Sequence, residues 1–182
     1  GGQQPETVIG QEIDRQNSSE DYSEVSSVSS LNQLTYTSQE CKVRLTENIV
    51  MTTAVTVNNG NSLTIDLNGH TLTAPENDRA FRIQDGALTI EDSIGTGVIQ
   101  GSGTVTSYGG NGGAIWMSSG DSTNALTLTG GTIRGFTAKY GAGVYMGSGT
   151  FSMTGGAIQN CSATDGGLAD GGGVYVSSGS FE

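Results

Sequence analysis

Four side chains able to hold a ligand recur at one place in a repeated phrase. Arg82, Trp116, Tyr145 and Tyr175 are the middle residues of Phe81-Arg82-Ile83, Ile115-Trp116-Met117, Val144-Tyr145-Met146 and Val174-Tyr175-Val176. The flanking residues are apolar, so a strand that buries them turns the middle side chain outward. If the triplets lie side by side, one cation and three aromatic rings line up on one face. Such a face suits the stacking of sugar rings or the anchoring of another protein, with Arg82 predicted to lie over Trp116 as a cation–π neighbour. The same stacking would also stabilise a parallel ladder with no ligand at all, and the sequence leaves both readings open.

The spacing of the triplets dictates what must position them. Ile115, Val144 and Val174 follow one another at 29 and 30 residues, the period of a supersecondary unit stacked on its own copies. Between Val144 and Val174, the alternating runs Val144-Tyr145-Met146, Thr150-Phe151-Ser152-Met153-Thr154 and Ala157-Ile158-Gln159-Asn160 are separated by glycine-rich corners. None of these runs has helical spacing. Upstream, Leu63 and Ile65, Leu88 and Ile90, Leu126 and Leu128, Phe151 and Met153, and Phe181 fall at one equivalent strand. Leu72, Ile99, Ile133 and Ile158 fall at the next, and Val55-Thr56-Val57 adds an earlier triplet. Three strands per turn, each pairing with its counterparts about 4.8 Å away, give an all-β fold, a single-stranded parallel β-helix solenoid of about four to five turns. Inward ladders of Leu, Ile, Val, Phe and Met are its core. Glycine is expected at the corners, where positive φ or close backbone approach is needed.

Composition narrows the partners. Eighteen acidic against seven basic residues give a net charge of −11, which disfavours nucleic acid and anionic membrane surfaces. No apolar run is long enough for membrane insertion. Residues 1–35, rich in Ser, Gln and Glu, are predicted to be a disordered or tether-like leader, with a short helical cap built on Val8, Ile9 and Ile13 as the alternative. Residues 36–182 are then the β-helix domain. The sequence stops at Phe181-Glu182 within a strand, so the domain is expected to continue past its C-terminal end, and the open ladder edges predict end-to-end self-association. Cys41 and Cys161 belong to different turns, too far apart to bridge, and are predicted to be free thiols.

Two motifs carry a resemblance. Thr64-Ile65-Asp66-Leu67-Asn68-Gly69-His70-Thr71-Leu72 resembles the opening turn of bacterial surface proteins with the right-handed β-helix of pectin lyases. Gly112-Gly113-Ala114-Ile115, with its variants Gly141-Ala142-Gly143-Val144 and Gly171-Gly172-Gly173-Val174, is similar to the Gly-Gly-Ala-Ile repeat of polymorphic outer-membrane adhesins and of large gut Firmicutes surface proteins. The resemblance spans roughly residues 42 to 182. It implies a right-handed helix, an extracellular, cell-surface or secreted setting, and a non-catalytic adhesin-like or stalk module without a cofactor. Its partner would be a polysaccharide or a host or bacterial surface protein, met through Arg82, Trp116, Tyr145 and Tyr175.

The fold also hosts carbohydrate-active enzymes, so the resemblance implies a second possibility. A lyase site would need carboxylates gathered for Ca²⁺ beside an Arg or Lys base, and a hydrolase two or three Asp flanking the scissile bond. The outward ladder Thr64, Thr89, Thr127 and Ser152 is neutral, and too short and irregular for an ice-binding face. The nearest acidic group is Glu91-Asp92, with Asp66 one turn below; Glu91-Asp92 reads as a solvated turn rather than a metal site, and Arg82 and Arg134 project from different strands. His70, the sole histidine, reads as a corner residue. No catalytic residue or metal ligand is therefore assigned, and a polysaccharide lyase or glycoside hydrolase whose site lies partly in further C-terminal turns is the alternative.

Overall fold

A computed structural model describes residues 22–32, 40–164 and 171–182. The predicted cap of Val8, Ile9 and Ile13 lies outside these residues. The regular structure is almost all strand, in three sheets, and every ladder among the described residues is parallel. No helix among them is long and apolar enough to cross a membrane.

Alternation sorts the side chains. In Val55–Asp66 and Phe81–Glu91, the two longest strands, Val55, Val57, Leu63 and Ile65, and Phe81, Ile83, Leu88 and Ile90, are buried. The intervening Thr56, Thr64, Arg82 and Thr89 are only half-buried. Each of these strands joins two runs that the sequence separates. Asn59 and Gly60 (φ 56 and 72) bend the first, and Asp85 (φ 62) bends the second, in the left-handed region that Asn, Asp and Gly tolerate best. The ladder shifts register at that bend, between Asn58 and Asn61, as expected for a bulge that re-aims a strand.

Three ladders supply one core. The first aligns Val55, Phe81, Ile115, Val144 and Val174. The second aligns Leu63, Leu88, Leu126, Phe151 and Phe181, and the third Ile49, Leu72, Ile99, Ile133 and Ile158. Their inward side chains form a single apolar cluster from Val25 to Phe151, with Ile158 and Val174 packed against it. Burial at about 25 cal/mol per Å² of apolar surface is its main source of stability.

The glycine corners have two separate physical causes. Gly112, Gly141 and Gly171 take φ of 72, 57 and 66°, which turns the chain into the next strand. Gly113 has no such φ, but a Cβ there would overlap the carbonyl oxygen of Ala142 on the neighbouring rung. The first position needs glycine for its torsion, and a Cβ there would also crowd the carbonyl of Ile115, Val144 or Val174; the second needs it for close approach of two backbones.

Residues 22–32 depart from the leader expected over residues 1–35. Ser23–Val25 pairs in parallel with Val43, Arg44 and Leu45, and the helix Val28–Asn32 follows. Val25 and Leu31 are buried in the core, and the Ser30 amide donates to Ser27 Oγ (3.2 Å) at the start of the helix. Only Val25, Val28 and Leu31 are apolar in this Ser-rich stretch, but all three meet the core. No disulfide joins Cys41 and Cys161. Burial raises the Cys161 pKa, and the residue packs against the core.

Candidate functional site

The first ladder places Thr56, Arg82, Trp116, Tyr145 and Tyr175 in one outward row, each the register partner of the next. Tyr145 and Tyr175 stack with centroids 5.3 Å apart and planes 9° from parallel. Two rings not foreseen from the triplets join them. Tyr140 leans on Tyr175 at 5.4 Å, and Tyr108 on Trp116 at 5.3 Å, both tilted by more than 30°. Offset and tilted arrangements of this kind are the favourable ones for aromatic quadrupoles. The row therefore consists of two aromatic groups, Tyr108 with Trp116 and Tyr140 with Tyr145 and Tyr175.

Arg82 does not lie over Trp116 as the sequence predicts. The turn Ser107–Gly110, with Tyr108 at φ 51 and Gly109 at φ 71, carries the Tyr108 ring to the row instead. The Arg82 guanidinium sits 5.0 Å from that ring's centroid, and its Nη1 donates to the Tyr108 hydroxyl at 2.7 Å. The cation near Trp116 is Arg79, at 5.9 Å.

Arg79 is the other residue the sequence conceals. It sits in the polar run Asn77-Asp78-Arg79 yet is fully buried. Its Nη1 donates to Ser107 Oγ (3.0 Å), its Nη2 to the carbonyls of Ser107 (2.9 Å) and Asn111 (2.7 Å), and its Nε to that of Gly112 (3.3 Å). One guanidinium thus gathers the segment that presents Tyr108. Burial lowers its pKa, and Asp78, 3.8 Å from Nη1, acts in the opposite sense.

At the Thr56 end the row opens into a groove of about 380 Å³, lined by Asn32, Thr53, Thr56, Asn58 and Arg82 among others. Its side chains offer neutral donors and acceptors and one cation. Arg82 Nε is buried without a hydrogen-bond partner.

Glu91 and Asp92, expected as a solvated turn, are half-buried and hydrogen-bonded. Asp66 is 1% exposed and accepts from Arg44 Nε (2.8 Å) and from the amides of Asn68 (2.8 Å) and Ser93 (2.9 Å). Burial alone would raise its pKa, but these donors hold it below the ordinary carboxylate range. Asp92 accepts from the amides of Gly69 (2.8 Å) and Gly97 (2.6 Å), and Glu91 from the Tyr22 hydroxyl (2.5 Å). Tyr22 itself lies 4.4 Å below the Arg44 guanidinium. All three acids are engaged in fastening corners. His70 closes the Leu67–His70 turn through its amide (2.9 Å). Thr64, Thr89, Thr127 and Ser152 do align in one rank of neutral side chains, and Lys42 precedes them as the register partner of Thr64.

No protein-family model, curated protein or solved structure matches the chain. What the face does is therefore argued from its own geometry. A sequence signal for the missed rings exists: Tyr108 and Tyr140 stand immediately before the glycines that lead into the Trp116 and Tyr145 triplets.

Proposed function

We propose that the strands wind as a right-handed β-helix with three strands per turn, and that the chain is a non-catalytic module of a cell surface or secreted protein that binds polysaccharide. Parallel strands of one sheet are joined by right-handed crossovers in nearly all proteins, and the Gly-Gly-Ala-Ile corners support the surface setting through the resemblance they carry. The observation on which the reading rests is the outward row Arg82, Trp116, Tyr145 and Tyr175, joined by Tyr108 and Tyr140. Five rings in two groups along a rigid ladder give a sugar chain successive apolar faces, while the tyrosine hydroxyls and the Asn and Thr side chains of the groove supply directional hydrogen bonds. This is the mixture of apolar surface and a few placed polar groups typical of small-ligand sites. Rigid strands hold the rings in place before binding, which reduces the ordering entropy of association.

The test is native affinity electrophoresis against plant, mucin and bacterial polysaccharides, with the samples assayed for new unsaturated or reducing ends. The wild-type chain should be retarded by at least one of them without cleavage. The variant W116A/Y145A/Y175A should lose that retardation while its circular dichroism is unchanged. Retardation that survives the triple substitution, or none across the panel, refutes the reading, and cleavage would point to an enzyme instead.

A further inference from the structure

Resting on the glycan reading, we infer that the bound sugar is anionic, bearing a carboxylate or a sulfate, and that Arg82 binds that group. Among the described residues no carboxylate lies within ion-pair distance of Arg82. By contrast, Arg44 has Asp66 at 2.8 Å and Arg79 has Asp78 at 3.8 Å. Arg134, the other described arginine without an acid in ion-pair range, is exposed and donates to Gln100 Oε1 at 2.9 Å, whereas Arg82 is half-buried.

The guanidinium is also oriented. Tyr108 fixes one side of it, through the 2.7 Å bond from Nη1 and the ring 5.0 Å away. The opposite edge, Nε with Nη2, has no partner among the described residues, and Nε is buried. An unmet buried donor is uncommon in folded proteins and calls for an acceptor. That edge is a planar two-donor fork, the shape that pairs with two oxygens of one carboxylate or sulfate.

The surroundings favour an anion. Thr56, the register partner of Arg82, and Asn32, Thr53 and Asn58 line the groove with no acidic side chain among the lining residues. Arg79 is near enough to be repelled by Arg82 and is itself matched by one aspartate. The two guanidiniums and Asp78 thus leave one excess positive charge under the end of an aromatic row. A volume of about 380 Å³ lies near the lower end of the range for small-ligand pockets, roughly 300–1,000 Å³. The remaining sugars then extend along Trp116 and Tyr145.

The experiment titrates the full 182-residue chain with three probes: hyaluronan oligosaccharides for the carboxylate, dextran sulfate for the sulfate and dextran as the neutral glycan. R82Q and R82K are compared with wild type, their folds checked by circular dichroism. Wild type should prefer one anionic probe, and R82Q should weaken that binding by about ten- to a hundredfold, as loss of hydrogen bonds to a charged group predicts. R82Q should weaken binding of dextran by a clearly smaller factor than binding of the anionic probe, and R82K, a point charge without the fork, should fall between wild type and R82Q on the anionic probe. Preference for hyaluronan identifies a carboxylate and preference for dextran sulfate a sulfate. Equal binding of neutral and anionic probes, unaltered in R82Q, overturns the inference and leaves the glycan reading standing. Absence of binding to all three, with no retardation on the wider polysaccharide panel, overturns both.

Discussion

Replacing Arg79 with methionine removes the buried cation that supports one end of the aromatic row while keeping much of its bulk. Four acceptors lose their donor: Ser107 Oγ and the carbonyls of Ser107, Asn111 and Gly112. Ser107 and Asn111 are half-buried, so water replaces part of what is lost, whereas Gly112 is buried but bonded at the longest distance. At about 1 kcal/mol for each unmet acceptor the total is about 4 kcal/mol, inside the roughly 3–5 kcal/mol seen when one partner of a buried ion pair is removed. For a chain of this size about 2–4 °C of Tm is lost per kcal/mol, so the melting midpoint should fall by about 8–16 °C. Trp116, the sole tryptophan, packs on Tyr108 and lies beside Arg79. Its emission should therefore change in the variant below the melting transition, as the Ser107–Gly112 segment loosens. Thermal melts followed by circular dichroism and by Trp116 fluorescence test both effects. A midpoint within about 2 °C of wild type with an unaltered emission spectrum would refute the assigned role.

Two further expectations concern the corners. Gly113→Ala should destabilise the fold by about 1–3 kcal/mol in urea titration, because its methyl group overlaps the Ala142 carbonyl; Gly120→Ala, which meets no neighbour within 4 Å but, unlike Gly113, has a positive φ, should cost about 1 kcal/mol from torsion alone. Asp66 has a folded-state pKa below its unfolded value, so its stabilisation is complete above about pH 4 and is lost as pH falls through the lower folded value. Melting points measured downward from pH 5 should therefore drop more steeply for wild type than for Asp66→Asn, and parallel curves would contradict the role given to this carboxylate.

The ladders were legible because alternation and a near-constant period act on the same residues. Val144, Tyr145 and Met146 carry their orientation in the apolar pattern and their register in the repeat, and the observed pairing with Ile115, Trp116 and Met117 needs nothing more. What escaped notice lies where neither signal operates. Arg79 is buried because three carbonyls and a hydroxyl of a distant loop converge on it, a non-local circumstance that the run Asn77-Asp78-Arg79 does not encode. Tyr108 reaches the row only through a left-handed torsion in an irregular turn. Residues 22–32 look like leader by composition, yet a parallel edge at Val43–Leu45 and three apolar side chains suffice to hold them. Asp92 looks solvated because the two glycine amides that it receives lie on separate corners.

The parallel pairing also constrains how the chain assembles during synthesis. Among the described ladders, partners are separated by distances along the chain that run from the gap between Ser23 and Val43 to that between Leu88 and Leu126, a range of less than twofold. Loop-closure entropy rises by only about 0.6 kcal/mol per doubling of length, so each parallel pairing closes against nearly the same entropic barrier wherever it lies in the sheets. Each strand can pair with a partner that precedes it along the chain, and that pairing needs no residue from further downstream. The parallel pairing can thus grow in the direction of translation, with each paired strand templating the next.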